Sequence, residues 1–278
     1  MARSESWLAL PLAALFTAFF VAPLCVLLAL SLHNDIALTS WTLVNYADFF
    51  TDRFSYSILG DTLLLGAKAT LVCFVFGFPI AWLSSRVGAR WQSILLFLVI
   101  LPILTSVVVR TFAWIVILGR YGVLNQIVLG LGLSREPWRL LYTETGVIMV
   151  LAQVQMPLMV LPILSVLSKM DPNLADASRA LGASEWRTLC KVTLPLSLPG
   201  VIAGCILAYA ACVTAFVTQS LIGGARLIYM PLDIYQQAVG ANNWPFAAAL
   251  SIIFMVSVMA VVGVLGAIGR KSETHGPA

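Results

Sequence analysis

Residues 171–195 read "DPNLADASRALGASEWRTLCKVTLP" and form a polar stretch in a chain that is otherwise strongly apolar. An apolar segment precedes this stretch and another follows it. It carries six charged residues, namely Asp171, Asp176, Arg179, Glu185, Arg187 and Lys191. Its role depends on whether the neighbouring segments lie in water or in lipid. If they lie in lipid, its role also depends on the side of the membrane on which the stretch is exposed.

The composition indicates that lipid is the solvent for most of the chain. Of its 278 residues, 60% are apolar and only 10% are charged, and the mean hydropathy is +0.97. Soluble domains carry about 25% charged residues. The net charge of +4 is too small and too scattered to indicate a nucleic-acid partner. None of the five cysteines forms a CxxC pair, so neither a disulfide framework nor a metal site is supported.

Six apolar runs are long enough to cross a bilayer, which requires about 20 residues. They cover approximately residues 7–32, 58–84, 91–118, 146–167, 200–222 and 246–268. The first run is longer than the apolar core of a signal peptide, which spans about 7–15 residues, so we expect a retained helix. The pattern predicts an all-α membrane protein with six transmembrane helices, organised as one domain over residues 1–278.

The basic residues predict the orientation of these helices. With a cytoplasmic N-terminus, nine of the 16 lysines and arginines lie inside, five lie outside, and two, Lys68 and Arg110, fall within the runs. The excess favours both termini in the cytoplasm. The polar loop at residues 169–198 is then cytoplasmic as well.

The outer loops are short and carry two apolar stretches typical of surface helices. One reads "WTLVNYADFF" from Trp41, and the other reads "YGVLNQIVLGLGL" from Tyr121. In the second, one helical stripe consists of Val123, Ile127, Val128 and Leu131. No outer segment is large enough to form a separate domain, so selective capture of a dilute solute requires another protein.

The polar loop itself predicts a helix, a glycine turn and a second helix. Asp171 and Pro172 are a favourable helix start, and Gly182 can adopt the positive φ that ends a helix. The helix between them has one small, weakly apolar face, made of Leu174, Ala177, Ser178 and Leu181. Such a face lets the groove of another protein approach closely.

The second helix begins after Ser184, which can cap it, and carries Glu185 in its first turn. Pro195 and Pro199 are expected to end this helix just before the next apolar run.

The loop resembles the EAA loop of ABC importer permeases, whose pattern is E-A-A, three residues, G, nine residues, then I-x-L-P. Here Asp176-Ala177-Ser178 precede Gly182 at that spacing, and nine residues later the chain reads Val192-Thr193-Leu194-Pro195. The resemblance implies that the first short helix is a coupling helix that sits in a groove of a cytoplasmic ATPase subunit. The residues implied in this coupling are Asp176, Ala177, Ser178, Gly182, Glu185, Leu194 and Pro195.

The resemblance extends over nearly the whole chain and is most similar to the spermidine/putrescine branch of this family. It is carried by "NYADFF", "LPILTSVVVRTFAW", "LPLSLPGVIAG" and "NNWPFAAALS". It implies a permease in the bacterial inner membrane, with a dimer of ATP-binding cassette subunits, a second homologous permease and an extracytoplasmic solute-binding protein as partners. No cofactor is expected on this chain, because the ATPase uses the ATP and magnesium. Related permeases carry iron, thiosulfate, opines or amino-acid derivatives, so these solutes stay open.

Charged residues inside membrane helices need an explanation, because each costs about 2.5–3.5 kcal/mol at the bilayer centre on insertion scales. Lys68 and Arg110 fall in the outer halves of their runs, and Asp61 lies at a helix end. They either form a gate or form ion pairs that fix helix packing. For a cationic solute we expect Arg110 to be paired, with Asp61 as the candidate partner; an unpaired Arg110 facing the path favours an anionic solute.

Other polar or aromatic side chains within the runs are candidates for contact with a passing solute. They are Trp114, Gln153, Tyr209, Thr218 and Gln219. An aromatic ring beside a path can hold an amine by cation–π attraction. The alternative for each is ordinary helix packing or an interhelical hydrogen bond.

Two other function classes were weighed against the importer. The chain has no GxxxxGK[ST] phosphate-binding loop, and no nucleophile–base pair can be assembled from its two histidines, His33 and His275. A membrane hydrolase is therefore disfavoured. An autonomous secondary transporter or channel stays possible, and ATP dependence together with co-purification of an ATPase distinguishes it from the importer.

Overall fold

The computed structural model describes residues 6–273, which are mostly helical. The helices are α1 (Ser6–Ser31), α2 (Val44–Thr51), α3 (Arg53–Ser84), α4 (Ala89–Leu104), α5 (Val107–Leu118), α6 (Val123–Gly130), α7 (Glu144–Leu167), α8 (Pro172–Ala180), α9 (Glu185–Thr188), α10 (Leu194–Val213), α11 (Phe216–Gly223), α12 (Met230–Tyr235) and α13 (Trp244–Glu273). A π-helical turn at Leu189–Thr193 joins α9 to α10, and another at Gln236–Gly240 follows α12.

Within the described residues, six segments are long and apolar enough to cross a membrane, which is the predicted number. They are Ala14–Ser31, Arg53–Ser84, Val107–Gly130, Glu144–Leu167, Glu185–Val213 and Trp244–Arg270. The third, Val107–Gly130, joins α5 and α6 across a short turn and covers only part of the predicted run 91–118. The all-α class is confirmed. The shorter apolar helix α4 lies between the second and third segments.

The third predicted run, residues 91–118, is not one helix. Thr105 and Ser106 adopt extended conformations, with ψ of 149° and 131°, and separate α4 from α5. Pro102 lies in the last turn of α4 and has no amide hydrogen to donate, so the hydrogen-bond ladder is weakened just before the break. The apolar sequence continues through this break, which is why it does not show in the hydropathy pattern.

The fifth predicted run, residues 200–222, also differs from the structure. Its helix, α10, begins earlier and ends at Val213, and Ala215, with φ −74° and ψ 63°, redirects the chain into α11. The side chain of Gln219 donates hydrogen bonds to the carbonyls of Cys212 at 2.8 Å and Val213 at 3.1 Å. These carbonyls lie at the end of a helix, where intrahelical partners are missing, so Gln219 stabilises the break.

Contacts divide the chain into two compact units. One comprises the described residues up to Leu59 together with Met230–Ser257, and the other comprises Gly60–Tyr229 and the described residues from Val258 onwards. The single domain expected over residues 1–278 stays a prediction.

In the first unit, α2 holds the end of α1. The buried side chain of Asn45 donates to the carbonyl of Ser31 at 3.1 Å and to that of His33 at 2.9 Å. The Ser31 hydroxyl also hydrogen-bonds the hydroxyl of Tyr46 at 2.8 Å. The carbonyl of the last residue of α1 and that of His33 just beyond it are therefore satisfied by a side chain of α2, the helix predicted from "WTLVNYADFF".

In the second unit, α7 and α10 approach each other closely at two glycines. A Cβ atom at Gly200 would lie 2.8 Å from the carbonyl oxygen of Pro162, and one at Gly204 would lie 2.9 Å from Sδ of Met159. Small residues allow helices to pack backbone to backbone in a membrane. This pair, together with α3, forms the buried core below the sites described next.

The second outer helix, α6, exists, but its packing face differs from the predicted stripe. Of the four stripe residues only Val128 is buried. The buried anchor is Asn125, which donates to the carbonyls of Gly119 at 3.1 Å and Trp138 at 3.0 Å and accepts from the Trp138 amide at 2.8 Å. A polar residue that satisfies three loop groups thus determines how α6 is attached.

Candidate coupling site and solute path

The polar loop begins and ends its first helix as its sequence predicts. The Asp171 side chain accepts a hydrogen bond from the Asn173 amide at 2.9 Å, ahead of α8. Gly182 has φ +81° and donates to the Arg179 carbonyl at 2.8 Å. The next amide, that of Ala183, bonds the Ser178 carbonyl at 3.1 Å. This pair of bonds around a left-handed residue is the Schellman arrangement, which satisfies the last carbonyls of the helix.

The second helix packs against the first through two hydroxyl groups. Ser184 caps α9 by accepting from the Arg187 amide at 3.3 Å. The hydroxyls of Ser178 and Thr188 lie 3.0 Å apart, and Thr188 is fully buried. Ser178, which stands where the family pattern has alanine, thereby fastens the two short helices to each other.

The prolines do not end this second helix, contrary to the sequence prediction. The chain runs from α9 through the π turn at Leu189–Thr193 into α10 without leaving helical structure. Pro195 occupies the first turn of α10, where the missing amide hydrogen has no partner to lose within that helix. Pro199 lies inside α10. Leu194 is half-buried and Pro195 is exposed, so the loop enters the apolar segment as one helical path.

A chain of charged contacts ties the loop to the end of α3. Arg179 pairs with Asp176 at 3.1 Å and with Glu185 at 2.9 Å, and Arg86 pairs with the other oxygen of Glu185 at 3.1 Å. The Arg86 guanidinium also lies 4.3 Å above the ring of Trp82. Exposed ion pairs contribute only about 0–1 kcal/mol to stability, so the network orients the loop more than it stabilises the fold.

Arg86 and Trp82 are site residues that the sequence did not reveal. Arg86 is 99 positions from Glu185, and no local motif marks either of them. The only signal is the position of Arg86 just after an apolar run, where positive charge is expected on the cytoplasmic side.

Two large apolar side chains project from the loop without partners in the described part of the chain. Leu181 is 90% exposed and Trp186 is 73% exposed. A cleft of about 390 Å³ is lined by residues of the loop and of the end of α3 that include Trp82, Arg86, Asp176 and Arg179. Exposed apolar anchors next to charged groups are typical of a protein-docking surface.

The structure brings together two of the candidate path residues. The Trp114 indole donates to the Gln153 side-chain oxygen at 3.1 Å, and both side chains are half-buried. Tyr209, Thr218 and Gln219 are buried, and the Gln219 amide is occupied by the end of α10. The assignment of all five to a solute path stays a prediction.

The charged residues within the spans have different surroundings. Lys68 forms an ion pair with Glu144 at 2.6 Å. Arg110 donates to the Thr105 hydroxyl at 3.3 Å, forms no ion pair with any described side chain, and leaves its buried Nε atom without a partner. The expected Arg110–Asp61 pair is therefore not formed within this chain, and Asp61 is exposed.

Tyr229, outside the spans, lies near the carboxylates of this region. Burial raises the pKa of its hydroxyl to about 12, and the negative charges of Glu144 and Asp61 add to the rise. The tyrosine therefore stays neutral at physiological pH. It can act as a hydrogen-bond donor towards a carboxylate but adds no charge of its own.

Comparison with known proteins places this geometry in a family. Residues 73–273 match the family described as binding-protein-dependent transport system inner membrane component. The spermidine/putrescine transport system permease protein PotB of Haemophilus influenzae is 35% identical over 211 residues, 76% of this chain and 73% of that protein. PotB of Escherichia coli K12 is also 35% identical, over 216 residues and 78% of each chain.

Two further proteins extend the comparison. The putative 2-aminoethylphosphonate transport system permease protein PhnU of Salmonella typhimurium LT2 is 27% identical over 91% of this chain and 88% of that protein. A chain of a bacterial ABC transporter involved in the import of the acidic polysaccharide alginate has the same fold. It has a TM-score of 0.78 and 18% identity, and the match covers 96% of this chain and 95% of that one.

Proposed function

This chain belongs to the family of binding-protein-dependent transport system inner membrane components, and we propose that it forms half of the solute path of an ATP-driven polyamine importer. As a family member it is a multi-pass protein of the inner membrane and a transport subunit rather than an enzyme. The observation that carries the choice of solute is the 35% identity, over 76% of the chain, to a spermidine/putrescine permease.

In this proposal the polar loop is cytoplasmic and transmits movement from an ATPase dimer. Leu181 and Trp186 enter the groove of an ATPase subunit, and Asp176 and Ala177 lie on the exposed side of α8 beside them. The Ser178–Thr188 contact and the Schellman turn at Gly182 make the two short helices move as one body. Both termini then lie in the cytoplasm, as the distribution of basic residues favours.

The partners follow from what the chain lacks and from what it exposes. Its sequence has no phosphate-binding loop, so the ATPase subunits bind the ATP and magnesium. A second, homologous permease completes the path. An extracytoplasmic solute-binding protein delivers the solute, since the outer loops are too short to form a capture domain.

Within the path, the Trp114–Gln153 pair is the best-placed contact for an amine. The indole ring is held in a fixed orientation by its hydrogen bond and offers a face for cation–π attraction. The Lys68–Glu144 pair neutralises a lysine that would otherwise repel a cationic solute.

The test is uptake of labelled putrescine and spermidine by cells that express this permease with its neighbouring transport genes. We expect ATP-dependent uptake that is lost when Asp176 and Gly182 are both substituted. A complex that hydrolyses ATP but imports neither polyamine would refute the solute assignment and leave the importer in place.

One observation favours a second candidate, the import of a solute that carries an anionic group. Arg110 has no carboxylate partner among the described side chains, and the related PhnU is named for a phosphonate. In this case 2-aminoethylphosphonate should compete with the transported solute, and Arg110→Gln should abolish that competition.

A further inference from the structure

One surface pocket of the second unit is lined by three arginines. It has a volume of about 710 Å³ and lies between the end of α5, the segment before α7 and the short turn Gly224–Arg226. Arg120, Arg139 and Arg226 line it, together with the aromatic side chains of Trp138 and Tyr142. We call it the arginine pocket.

The positive charge of the arginine pocket is not neutralised within the described part of the chain. None of its arginines forms an ion pair with a described side chain, and neither aspartate nor glutamate lines it. The adjacent acid, Glu144, is already paired with Lys68 at 2.6 Å. Three guanidinium groups around one concavity repel one another and offer paired donors that match carboxylate geometry.

The floor of the arginine pocket is held by an unusual backbone. Tyr142 has φ +62° and Gly224 has φ +60°, and a Cβ atom at Gly224 would lie 2.6 Å from Cδ1 of the Tyr142 ring. The Tyr142 amide donates to the Ile222 carbonyl at 3.0 Å and joins the two segments. A non-glycine residue at positive φ is strained and persists only where its surroundings fix it. The backbone at the floor of the arginine pocket is therefore held in a fixed conformation.

The arginine pocket lies at the opposite end of α7 from the coupling loop. Helix α7 begins at Glu144, next to the pocket residue Thr143, and ends at Leu167, just before the loop. Its 24 residues span about 36 Å, the thickness of a membrane core with its margins. With the loop in the cytoplasm, the arginine pocket opens on the extracytoplasmic side.

From this placement we infer that the arginine pocket receives carboxylate side chains of the extracytoplasmic solute-binding protein. The inference rests on the proposed function and names the surface on which that partner docks. The three arginines, which form no ion pair with a described side chain, would repel a polyamine. The arginine pocket is therefore not part of the path that the polyamine follows. Because α7 joins the pocket to the coupling loop within one unit, docking outside can bias the loop inside.

The experiment uses the assembled importer in nanodiscs of phosphatidylcholine and measures its affinity for the loaded binding protein. The test variant is R120Q/R139Q/R226Q. The matched control is R135Q, which neutralises an exposed arginine of the same outer loop that does not line the pocket. We expect the triple variant to bind at least about tenfold more weakly, with a shallower dependence on salt, and R135Q to bind normally.

Each outcome of this experiment supports or overturns the inference. Equal affinity of the triple variant and the unaltered complex overturns it. An effect that appears only when phosphatidylglycerol is added assigns the arginine pocket to a lipid phosphate and also overturns it. If the triple variant does not assemble, the single variants R120Q, R139Q and R226Q are measured in its place and must each weaken binding. Failure of the unaltered complex to bind any solute-loaded protein would instead refute the proposed function.

Discussion

Gly66 shows how one residue controls the approach of two helices. A Cβ atom there would lie 2.2 Å from Cγ1 of Val213 and 3.0 Å from Cε2 of Tyr209, so α3 packs directly onto α10. Gly60, six residues earlier in the same helix, has nothing within 4 Å of the same position. In α3, Gly66 therefore has no room for a side chain, whereas Gly60 does.

We predict that Gly66→Ala destabilises the protein by about 1–3 kcal/mol, because the added methyl group overpacks the contact. Gly60→Ala should be neutral or slightly stabilising, since alanine favours a helix. Thermal unfolding of the purified complex in detergent measures both. Equal melting temperatures for the two variants would contradict the packing described for Gly66.

Asp233 is the residue whose protonation should change stability with pH. It lies between the spans, is only 3% exposed, and its Oδ2 atom has no partner among the described residues. Burial raises the pKa of its carboxyl above the ordinary value of 3.8, the negative charge of Asp52 adds to the rise, and a hydrogen bond from Gln237 opposes it. Folding therefore favours the protonated form. That contribution is complete below the unfolded pKa and is lost as the pH rises through the folded pKa.

We predict that Asp233→Asn raises the melting temperature at pH 7 by about 2–4 °C, because it removes the buried charge. The difference from the unaltered protein should shrink as the pH falls towards 4, where the native carboxyl becomes neutral. Melting curves from pH 4 to 8 provide the measurement. A difference that does not vary with pH would show that the charge is not its cause.

Individual side chains within the spans were the least predictable part of the site from sequence. Gln219 was singled out for its polarity, but its amide caps the end of α10. A polar side chain such as that of Gln219 can contact a solute or can cap the end of an interrupted helix. Only the position of the helix break distinguishes these two roles. Lys68 was expected either to pair or to form a gate, and its partner Glu144 lies 76 positions away.

At the scale of elements, the polar loop at residues 169–198 depends on one left-handed residue. Gly182 has φ +81°, and no atom lies within 4 Å of the position a Cβ would take, so only the backbone restricts substitution there. Asparagine tolerates this conformation, whereas a β-branched residue does not.

We predict that Gly182→Val abolishes solute uptake while insertion into the membrane stays intact, because the turn between α8 and α9 is lost. Gly182→Asn is the matched variant and should keep most of the uptake. Uptake and the amount of permease in the membrane are measured together. Normal uptake by the valine variant would refute the coupling assignment.

The contact between Arg86 and Glu185 joins the segment just after α3 to the polar loop. Under the proposed function, its loss should cause a defect in coupling. We expect R86A and E185A each to lower solute transported per ATP hydrolysed by about two- to fivefold, the range that an exposed ion pair supports. Because E185A already removes the contact with Arg86, as well as the contact with Arg179, the double variant should lose less than the product of the two single losses. R90A is the control, because Arg90 is exposed and forms no ion pair with a described side chain. Additive losses in the double variant would mean that the two residues act separately.

Helix ends that depend on local capping residues can be predicted from the sequence. Helix breaks that have no such local signal cannot. Asp171, Gly182 and Ser184 carry their capping roles in their own side chains or φ preference, and the structure has all three. The break at Thr105–Ser106 lies in continuous apolar sequence, and the effect of Pro195 depended on the π turn before it. Hydropathy reports that a segment is buried in lipid but not whether it is one helix or two.

At the scale of the whole molecule, Arg110 indicates that the chain is incomplete alone. Its buried Nε has no partner among residues 6–273, and its one described hydrogen bond is a long one to Thr105. A guanidinium in a membrane segment is stable only when it is paired or hydrated. In the proposed importer, a carboxylate of the second permease is the expected partner of Arg110.

We therefore predict that Arg110→Gln lowers the yield of the assembled complex severalfold and changes the Kd for the solute little. Arg110→Lys should recover part of the yield, since it keeps the charge but not the fork of donors. Size-exclusion chromatography of the co-expressed complex and solute binding give the two readouts. A fully assembled complex with altered solute preference would contradict the prediction and favour an anionic solute.

The arginine pocket is a feature of the whole molecule that cannot be recognised from any single stretch of the sequence. Its arginines come from three segments that are brought together only by the fold. The distribution of basic residues along the sequence predicts on which side of the membrane these arginines lie. It does not predict that they lie together in one pocket.

The π turn at Leu189–Thr193 has a consequence for the orientation of the coupling loop. A π turn holds one more residue than an α turn, and each residue of an α-helix advances the chain by about 100° around the axis. Removing that residue would rotate α8 and α9 by this angle about the axis of α10 and swing Leu181 and Trp186 away from their present bearing. In the proposed importer, the number of residues in this single turn therefore sets the direction from which the ATPase subunit meets the permease.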